Sequence, residues 1–549
     1  MNERSVPPWP EEFAARYRDA GFWRDQSLGH RLWRAAEQRP ESIAVVDERR
    51  RVTYQEITER ADSLAEKLLE LGAARGDNVV VQLPNSWEFV LVVLACLRAG
   101  VAPVLALASH REHEIEYLVR LTRARLVVVA DYWRGFDHQE MASRVAGAVE
   151  QDCDVVVAGE PRSRNLGLYA LSRNDGQTGV RKRSMDSRAT GADETALYLL
   201  SGGTTGRPKL IARTHNDYEY SFRRMGEIIG VGADTRYLVA LPAAHNFPLG
   251  GPGILGTLTA GGRVVMLPSP EPGAAQAAVE KESPDVVSLV PAVARRWTDH
   301  IEAAAMDPGS FRIVQIGGAV LEPDLAERVR TVFDCRLQQV FGMAEGLLNC
   351  TRLDDPDEVV LNTQGRPISA GDEVLITDDD GAPAPFGAVG ELLARGPYTP
   401  RGYYRAPEHN ARRFTAEGWY RTGDLVRWHP SGNLVVVGRT KDVINRGGEK
   451  ISADEVESLA RECLRVADAA AVPLSAQEIG ERVCLVLVPE ANGTTPGLDE
   501  VRSEFIARGV ARYKIPERVE TMEKLPLTPI GKVDKAKLRR VLESSGGDG

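Results

Sequence analysis

Cysteine is sparse and unpatterned. Cys96, Cys153, Cys335, Cys350, Cys463 and Cys484 form no C-x-x-C pair, and no histidine cluster accompanies them. Neither a disulfide framework nor a zinc site is expected, and free thiols in a reducing compartment are the reading. Long apolar runs are missing too. The longest, Phe89 to Leu97, is far short of the ~20 residues that span a bilayer. Met1 to Phe13 carries charges and three prolines but no apolar h-region, so no signal peptide is expected and the cytoplasm is the expected location. A basic surface is absent as well. The net charge is −10, which argues against nucleic-acid binding. The basic cluster Arg181-Lys182-Arg183 lies in a polar stretch and reads as a solvated loop.

At 549 residues the chain is longer than one ordinary domain, and about two to four folding units are expected. Hydrophobic residues make up 43% and charged residues 27%, the balance of a soluble enzyme with a large core. There is no internal repeat and no heptad array. Helix and strand patterns alternate instead. Ile57, Ala61, Leu64, Leu68 and Leu71 fall at helical spacing before Gly72, Asn78 to Leu83 reads as a strand, Trp87 to Arg98 as a helix, and Val101 to Leu107 as a strand. This repetition predicts layered α/β structure with mostly parallel sheet. Residues 158–193 show no period and read as a long surface connection. A second α/β stretch runs from Glu194 to about Phe341, a β-rich region starts at Gly371, and the last part reads as a small α+β unit.

The apolar strand Leu197 to Leu200 runs into Ser201-Gly202-Gly203-Thr204-Thr205-Gly206-Arg207-Pro208-Lys209. Glycines let backbone N–H groups approach an anion, hydroxyls add donors, and Lys209 adds charge. The segment is not a Walker A loop: Pro208 replaces the glycine before the lysine, and Leu210 replaces the metal-binding hydroxyl residue. A flexible polar turn is the bland alternative.

Ser201 to Lys209 resembles the phosphate-binding signature of the adenylate-forming superfamily, which includes acyl-CoA synthetases, nonribosomal peptide adenylation domains and firefly luciferase. The resemblance continues in order along nearly the whole chain. It includes Phe341-Gly342-Met343-Ala344-Glu345, Tyr420 to Asp424, Gly438 to Asp442, Asn445 to Lys450, and Pro529-Ile530-Gly531-Lys532. It implies a large α/β N-terminal domain of layered subdomains plus a β-rich subdomain, residues 1–440, and a small mobile α+β C-terminal domain, residues 441–549. It also implies ATP and magnesium as cofactors.

The reaction brings a carboxylate onto the α-phosphorus of ATP with loss of pyrophosphate. Two anions meet, so the site must neutralise charge and align the reactants. By resemblance, Glu345 holds magnesium, Asp424 and Arg439 contact the ribose, and Phe341 stacks on adenine beside Gly342. The Gly317-Gly318-Ala319 turn lies along the other side of the base. Lys532 bridges the α-phosphate and the attacking carboxylate. Lys532, Glu345 and His245 make up the implied catalytic set. Taken alone, Glu345 could be a surface carboxylate and Lys532 a solubilising residue; the collinear motifs argue otherwise.

The segment His245-Asn246-Phe247-Pro248-Leu249-Gly250-Gly251-Pro252-Gly253 resembles the aryl-acid ligases of siderophore pathways, which activate 2,3-dihydroxybenzoate or salicylate. The resemblance makes Asn246 the reader of an ortho-hydroxyl, since an amide both donates and accepts. Phe247, Gly251, Val340 and Leu348 complete the expected acid pocket. Gly251 stands where the dihydroxybenzoate enzymes have Ser, and Leu348 where they have Val. The pair argues for salicylate, a substituted salicylate, or a larger or heteroaryl 2-hydroxy acid. The family then passes the acyl group to a pantetheine thiol, with Lys441 at the hinge and Gly447 and Gly448 lining the thiol tunnel. The tail from Glu543 to Gly549 is short and polar, so a separate carrier protein or CoA is the expected acceptor. The alternatives are a ligase for another carboxylic acid and a non-catalytic adenylate-binding protein on the same fold.

Overall fold

The computed structural model describes residues 6–188, 190–201, 208–304, 309–378, 380–439, 443–490, 496–527 and 533–544. Residues 1–108, 115–200 and 210–438 form one compact unit; residues 109–114, 201–209 and 439–549 form a second.

Among the described residues, three large sheets and the two-stranded ribbon Tyr132–Trp133 with Phe136–Asp137 build the first unit. In the seven-stranded sheet, Asn78–Gln82 is flanked by Ala102–Leu105 and Leu126–Ala130, all parallel. Thr195–Leu200 and Leu210–Thr214 close one edge as an antiparallel hairpin. The inner strands are Val- and Leu-rich and wholly buried, as expected of parallel strands covered on both faces. The nine-stranded sheet carries Arg263–Met266, Arg236–Val239, Val286–Leu289, Ile313–Gly317 and Arg336–Met343 in adjacent parallel register. Arg336–Met343 then turns back on Gly346–Cys350 as an antiparallel pair. The third sheet has four strands, Glu373–Thr377, Gly390–Arg395, Tyr420–Trp428 and Leu434–Arg439. The expected α/β layering with a β-rich portion after Gly371 is the observed architecture.

Local signals set several helix ends. Thr53 caps Tyr54–Glu70 through the Glu56 N–H, and Gly100, at φ +74, ends Trp87–Ala99. Residues 158–193 correct the sequence reading. They contain the short strand Leu166–Gly167 and the helices Leu168–Leu171 and Thr178–Asp186. Arg181 is not solvated. It is buried and pairs with Glu66 and Asp175 while donating to Ser63. The helix has no apolar period because it docks through a charged side chain whose hydrogen bonds are satisfied.

The second unit is α+β. The long hairpin Val466–Ala476 and Gly480–Pro489 forms its centre, with Val443–Arg446, Glu449–Ser452 and Arg518–Thr521 beside it. Alternation along Gly480–Pro489 feeds two cores. Val483, Leu485 and Leu487 face Val456 and Phe505, whereas Cys484 and Val486 face Leu538 and Leu542. All six cysteines are free thiols. Among the described residues no helix is long and apolar enough to cross a membrane.

Candidate active site

Arg236–Val239 is buried between two parallel neighbours. In open α/β sheets, ligands sit beyond the carboxyl ends of such strands. Beyond this end the chain turns at Pro242, whose carbonyl accepts the His245 N–H at 2.9 Å. His245, with extended backbone, leads into the short helix Asn246–Gly250. His245, Asn246 and Phe247 are half-buried, while Pro248, Leu249 and Gly250 are buried. The motif therefore anchors itself by its second half and leaves its first three side chains accessible.

Those side chains have specific neighbours. Tyr218 Oη donates to Asn246 Oδ1 at 3.0 Å. Phe247 packs against the cluster containing Val340, Leu348 and Tyr398. A Cβ at Gly251 would lie 3.1 Å from Phe247 Cδ2, and one at Gly317 would lie 3.2 Å from Phe247 Cε1 and 2.5 Å from the Val340 carbonyl oxygen. The Phe247 ring therefore lies against both glycines. Gly342 pairs with Leu348 across the strands, and a Cβ on Gly342 would run into Leu348 Cδ2. Leu348 is buried; its N–H donates to Tyr398 Oη at 3.2 Å, and Tyr398 donates to Asp372 at 2.5 Å. Burial pushes the Asp372 carboxyl up to about 8.

Phe341 belongs to the other side of its strand. It is half-buried against Leu347, Leu392 and Val426. Gly317 ends its strand, Gly318 has φ +83, and Ala319 is exposed, so the expected turn is present. Glu345 is 9% exposed, and its Oε1 accepts from Tyr403 Oη at 2.8 Å. Tyr403 Oη in turn lies 3.1 Å from Tyr420 Oη. Burial and the Glu345 charge hold the Tyr403 phenol well above its ordinary pKa, so it stays a donor. Just before Glu345, the Ala344 carbonyl accepts from Arg213, a buried residue paired with Asp217 at 2.7 Å. Among the described residues no three His, Cys, Asp or Glu side chains gather as a metal cage. A single held carboxylate fits magnesium, which keeps waters and substrate phosphates as its other ligands.

Asp424 is buried. It lies in a bulge inside Tyr420–Trp428. Arg421 faces Leu393 and Leu425 faces Glu391, so the segment between carries extra residues relative to its partner, and Gly423 takes φ +76. The Asp424 N–H donates to Thr422 Oγ1, which donates to the Leu392 carbonyl. The positive φ of Gly423 turns the strand locally.

In the second unit, Ser201 and Lys209 close the base of their loop. The Ser201 N–H donates to the Lys209 carbonyl at 2.9 Å, and the Lys209 N–H to Ser201 Oγ at 3.1 Å. The segment Gly202, Gly203, Thr204, Thr205 and Gly206 lies outside the described residues, as do Lys441, Lys532 and the side chain of Arg439. Gly447 and Gly448 form a two-residue hairpin turn joining Val443–Arg446 to Glu449–Ser452, with φ +60 and +96. Two adjacent positive φ values are the demand of a type I′ turn, which glycine meets without strain.

Two neighbours of these residues carried no sequence signal. Tyr218 lies on the helix His215–Ile229 and reads as a core aromatic, and Tyr403 lies in an irregular stretch. Only the fold brings them to Asn246 and Glu345.

Comparison with known proteins identifies the family. Residues 32–404 match the AMP-binding enzyme family, and residues 455–532 match the AMP-binding enzyme C-terminal domain. A salicylyl-CoA synthase / salicylate adenylyltransferase of a Streptomyces species is 50% identical over 99% of this chain and 98% of its own length. A 2-hydroxy-7-methoxy-5-methyl-1-naphthoate–CoA ligase of Streptomyces carzinostaticus is also 50% identical, over 97% and 96%. Among solved structures, the apo structure of Mycobacterium smegmatis MbtA superposes with a TM-score of 0.75 at 42% identity, covering 98% of both chains. With both family segments matched and relatives aligned along nearly its full length, the chain belongs to the AMP-binding enzymes, the adenylate-forming superfamily that its motifs resemble.

Proposed function

We propose that the protein uses ATP to activate a 2-hydroxyaryl carboxylic acid, a salicylate or a larger analogue, and transfers the acyl group to a pantetheine thiol. The observation that carries this reading is the half-buried His245, Asn246 and Phe247 beyond a parallel strand, with Phe247 packed against the cluster holding Val340 and Leu348. Two relatives at 50% identity, a salicylyl-CoA synthase / salicylate adenylyltransferase and a ligase for a substituted 2-hydroxynaphthoate, support it.

In the first step, a carboxylate oxygen of the acid bonds to the α-phosphorus of ATP, and the bond to pyrophosphate breaks. In the second, a thiol sulfur bonds to the acyl carbon, AMP leaves with the electron pair, and the thiol proton goes to solvent. Asn246 reads the ortho-hydroxyl, while Phe247, Gly251, Val340 and Leu348 shape the ring pocket. Phe341, Gly342 and the Gly317-Gly318-Ala319 turn hold adenine, and Asp424 and Arg439 hold ribose. The loop Ser201 to Gly206 with Lys209 receives the phosphates. Lys532 stabilises charge as the phosphorus becomes five-coordinate. Magnesium, when bound, neutralises phosphate charge, and Glu345 is the residue that would hold it. Lys441, Gly447 and Gly448 serve the thiol-transfer step, with a free-standing carrier protein or CoA as acceptor.

The test is a pyrophosphate-exchange panel of benzoate, salicylate, 2,3-dihydroxybenzoate, a hydroxynaphthoate, a fatty acid and an amino acid. Salicylate or the hydroxynaphthoate should give the highest kcat/KM. Preference for the fatty acid, the amino acid or 2,3-dihydroxybenzoate overturns the substrate reading.

A further inference from the structure

The side-chain amide of Asn246 has two unlike ends, and the structure distinguishes them. Its Oδ1 accepts the Tyr218 hydroxyl at 3.0 Å. Its Nδ2 has no protein partner among the described residues, and Asn246 is half-buried. Tyr218 itself has little freedom. It is fully buried, the Arg213 guanidinium lies 4.7 Å from its ring centroid, and Phe222 meets it edge-on at 6.0 Å. Gly250 completes the confinement, since a Cβ there would lie 2.6 Å from the Tyr218 oxygen. Burial also raises the phenol far above its ordinary pKa, so the hydroxyl stays protonated at every working pH.

We infer that Tyr218 is a specificity-determining positioning residue that fixes the orientation of the Asn246 amide and makes it a pure hydrogen-bond donor toward the substrate. The inference rests on the proposed role of Asn246 and extends it. A rotated amide would place its NH2 against the Tyr218 oxygen and turn its carbonyl to the pocket; the phenol proton, held on a confined oxygen beside Oδ1, favours the orientation observed. A donor-only amide selects acids whose ortho group can accept. The hydroxyl or phenolate of salicylate accepts well. The aryl amine of 2-aminobenzoate, whose lone pair is delocalised into the ring, accepts poorly and offers two donors of its own. Gly250 is part of the device because only a residue without Cβ leaves the hydroxyl in reach of Asn246.

The experiment measures kcat/KM for salicylate, benzoate and 2-aminobenzoate by pyrophosphate exchange in wild type, Asn246→Ala, Tyr218→Phe and Gly250→Ala. Tyr218→Phe removes one oxygen and keeps the ring packing. It frees the amide to present its carbonyl, so the preference for salicylate over 2-aminobenzoate should fall by roughly tenfold or more. That fall should come mainly from a gain on 2-aminobenzoate, which generalised damage to the site would not produce. Gly250→Ala displaces the same hydroxyl from a different residue and should move the ratio in the same direction; it decides the matter if Tyr218→Phe does not fold. If Asn246→Ala leaves the wild-type preference for salicylate over benzoate intact, the underlying role of Asn246 is wrong. If Asn246→Ala abolishes that preference but Tyr218→Phe and Gly250→Ala keep the salicylate to 2-aminobenzoate ratio, the role of Asn246 stands and the orienting role of Tyr218 is overturned.

Discussion

Replacing Tyr403 by Phe removes its hydrogen bond to the proposed magnesium carboxylate, together with the contact to Tyr420 Oη. The Tyr403 hydroxyl donates to Glu345 Oε1 at 2.8 Å with both side chains buried. The ring is held independently, edge-on to His409 at 5.2 Å and to Phe414 at 5.7 Å, so removing the oxygen should leave it in place. A hydrogen bond to a charged group contributes about 1.5–3 kcal/mol, which corresponds to a roughly tenfold to hundredfold loss of adenylation rate if all of it acts on the transition state. Glu345 would then be free to turn, and half-maximal activity should need more magnesium. Preference among aryl acids should not change, because no pocket residue is touched. The assay is pyrophosphate exchange at saturating salicylate across a magnesium titration, run on wild type, Tyr403→Phe, Glu345→Gln and the double variant. If Tyr403 acts through Glu345, its loss should cost much less in the Glu345→Gln background. Additive effects, or a magnesium titration identical to wild type, refute the reasoning.

Three other perturbations test separate parts of the molecule. Gly251→Ser puts a side chain where a Cβ already comes within 3.1 Å of the Phe247 ring, so kcat/KM for a hydroxynaphthoate should drop more than that for salicylate, and equal losses would remove position 251 from the ring pocket. Lys532→Ala should suppress adenylate formation far more than thiol transfer from a supplied acyl-adenylate, and single-turnover assays showing equal losses would cancel its assignment. Asp372 should make stability depend on pH: unfolded, its carboxyl ionises near 3.8, whereas burial holds it protonated up to about 8 in the folded chain. The native state binds that proton more tightly, so this contribution to stability falls as pH rises from about 4 to 8 and is level above. Asp372→Asn keeps an acceptor for Tyr398 and should flatten that slope, so a melting-temperature difference from wild type that stays constant from pH 4.5 to 8.5 would contradict it.

Sequence alone exposed those parts of the protein whose causes are local. Tyr54–Glu70 and Trp87–Ala99 carry their own periodicity and end signals. The His245-Asn246-Phe247 and Phe341-to-Glu345 segments are contiguous, so each is legible as a motif in the sequence. What stayed hidden depends on partners distant in the chain. Tyr218 meets Asn246 across 28 residues and Tyr403 meets Glu345 across 58. The bulge at Gly423 is set by register against Gly390–Arg395, and register is not a property of one strand. The helix Thr178–Asp186 docks through the ion pairs of Arg181, which leave no hydrophobic rhythm to read.

The glycines packed around Phe247, Leu348 and Tyr218 also bound how the enzyme can be changed. At Gly317 a Cβ meets the Val340 backbone carbonyl, and backbone does not step aside; at Gly342 it meets Leu348, and at Gly250 the confined Tyr218. Each of these positions accepts a side chain only if that neighbour shifts. Gly251 differs, because its nearest obstacles include the edge of the half-buried Phe247 ring, which can turn. If the proposed ring pocket is right, drift in substrate choice, whether in nature or in a laboratory library, is easiest at Gly251 and Phe247.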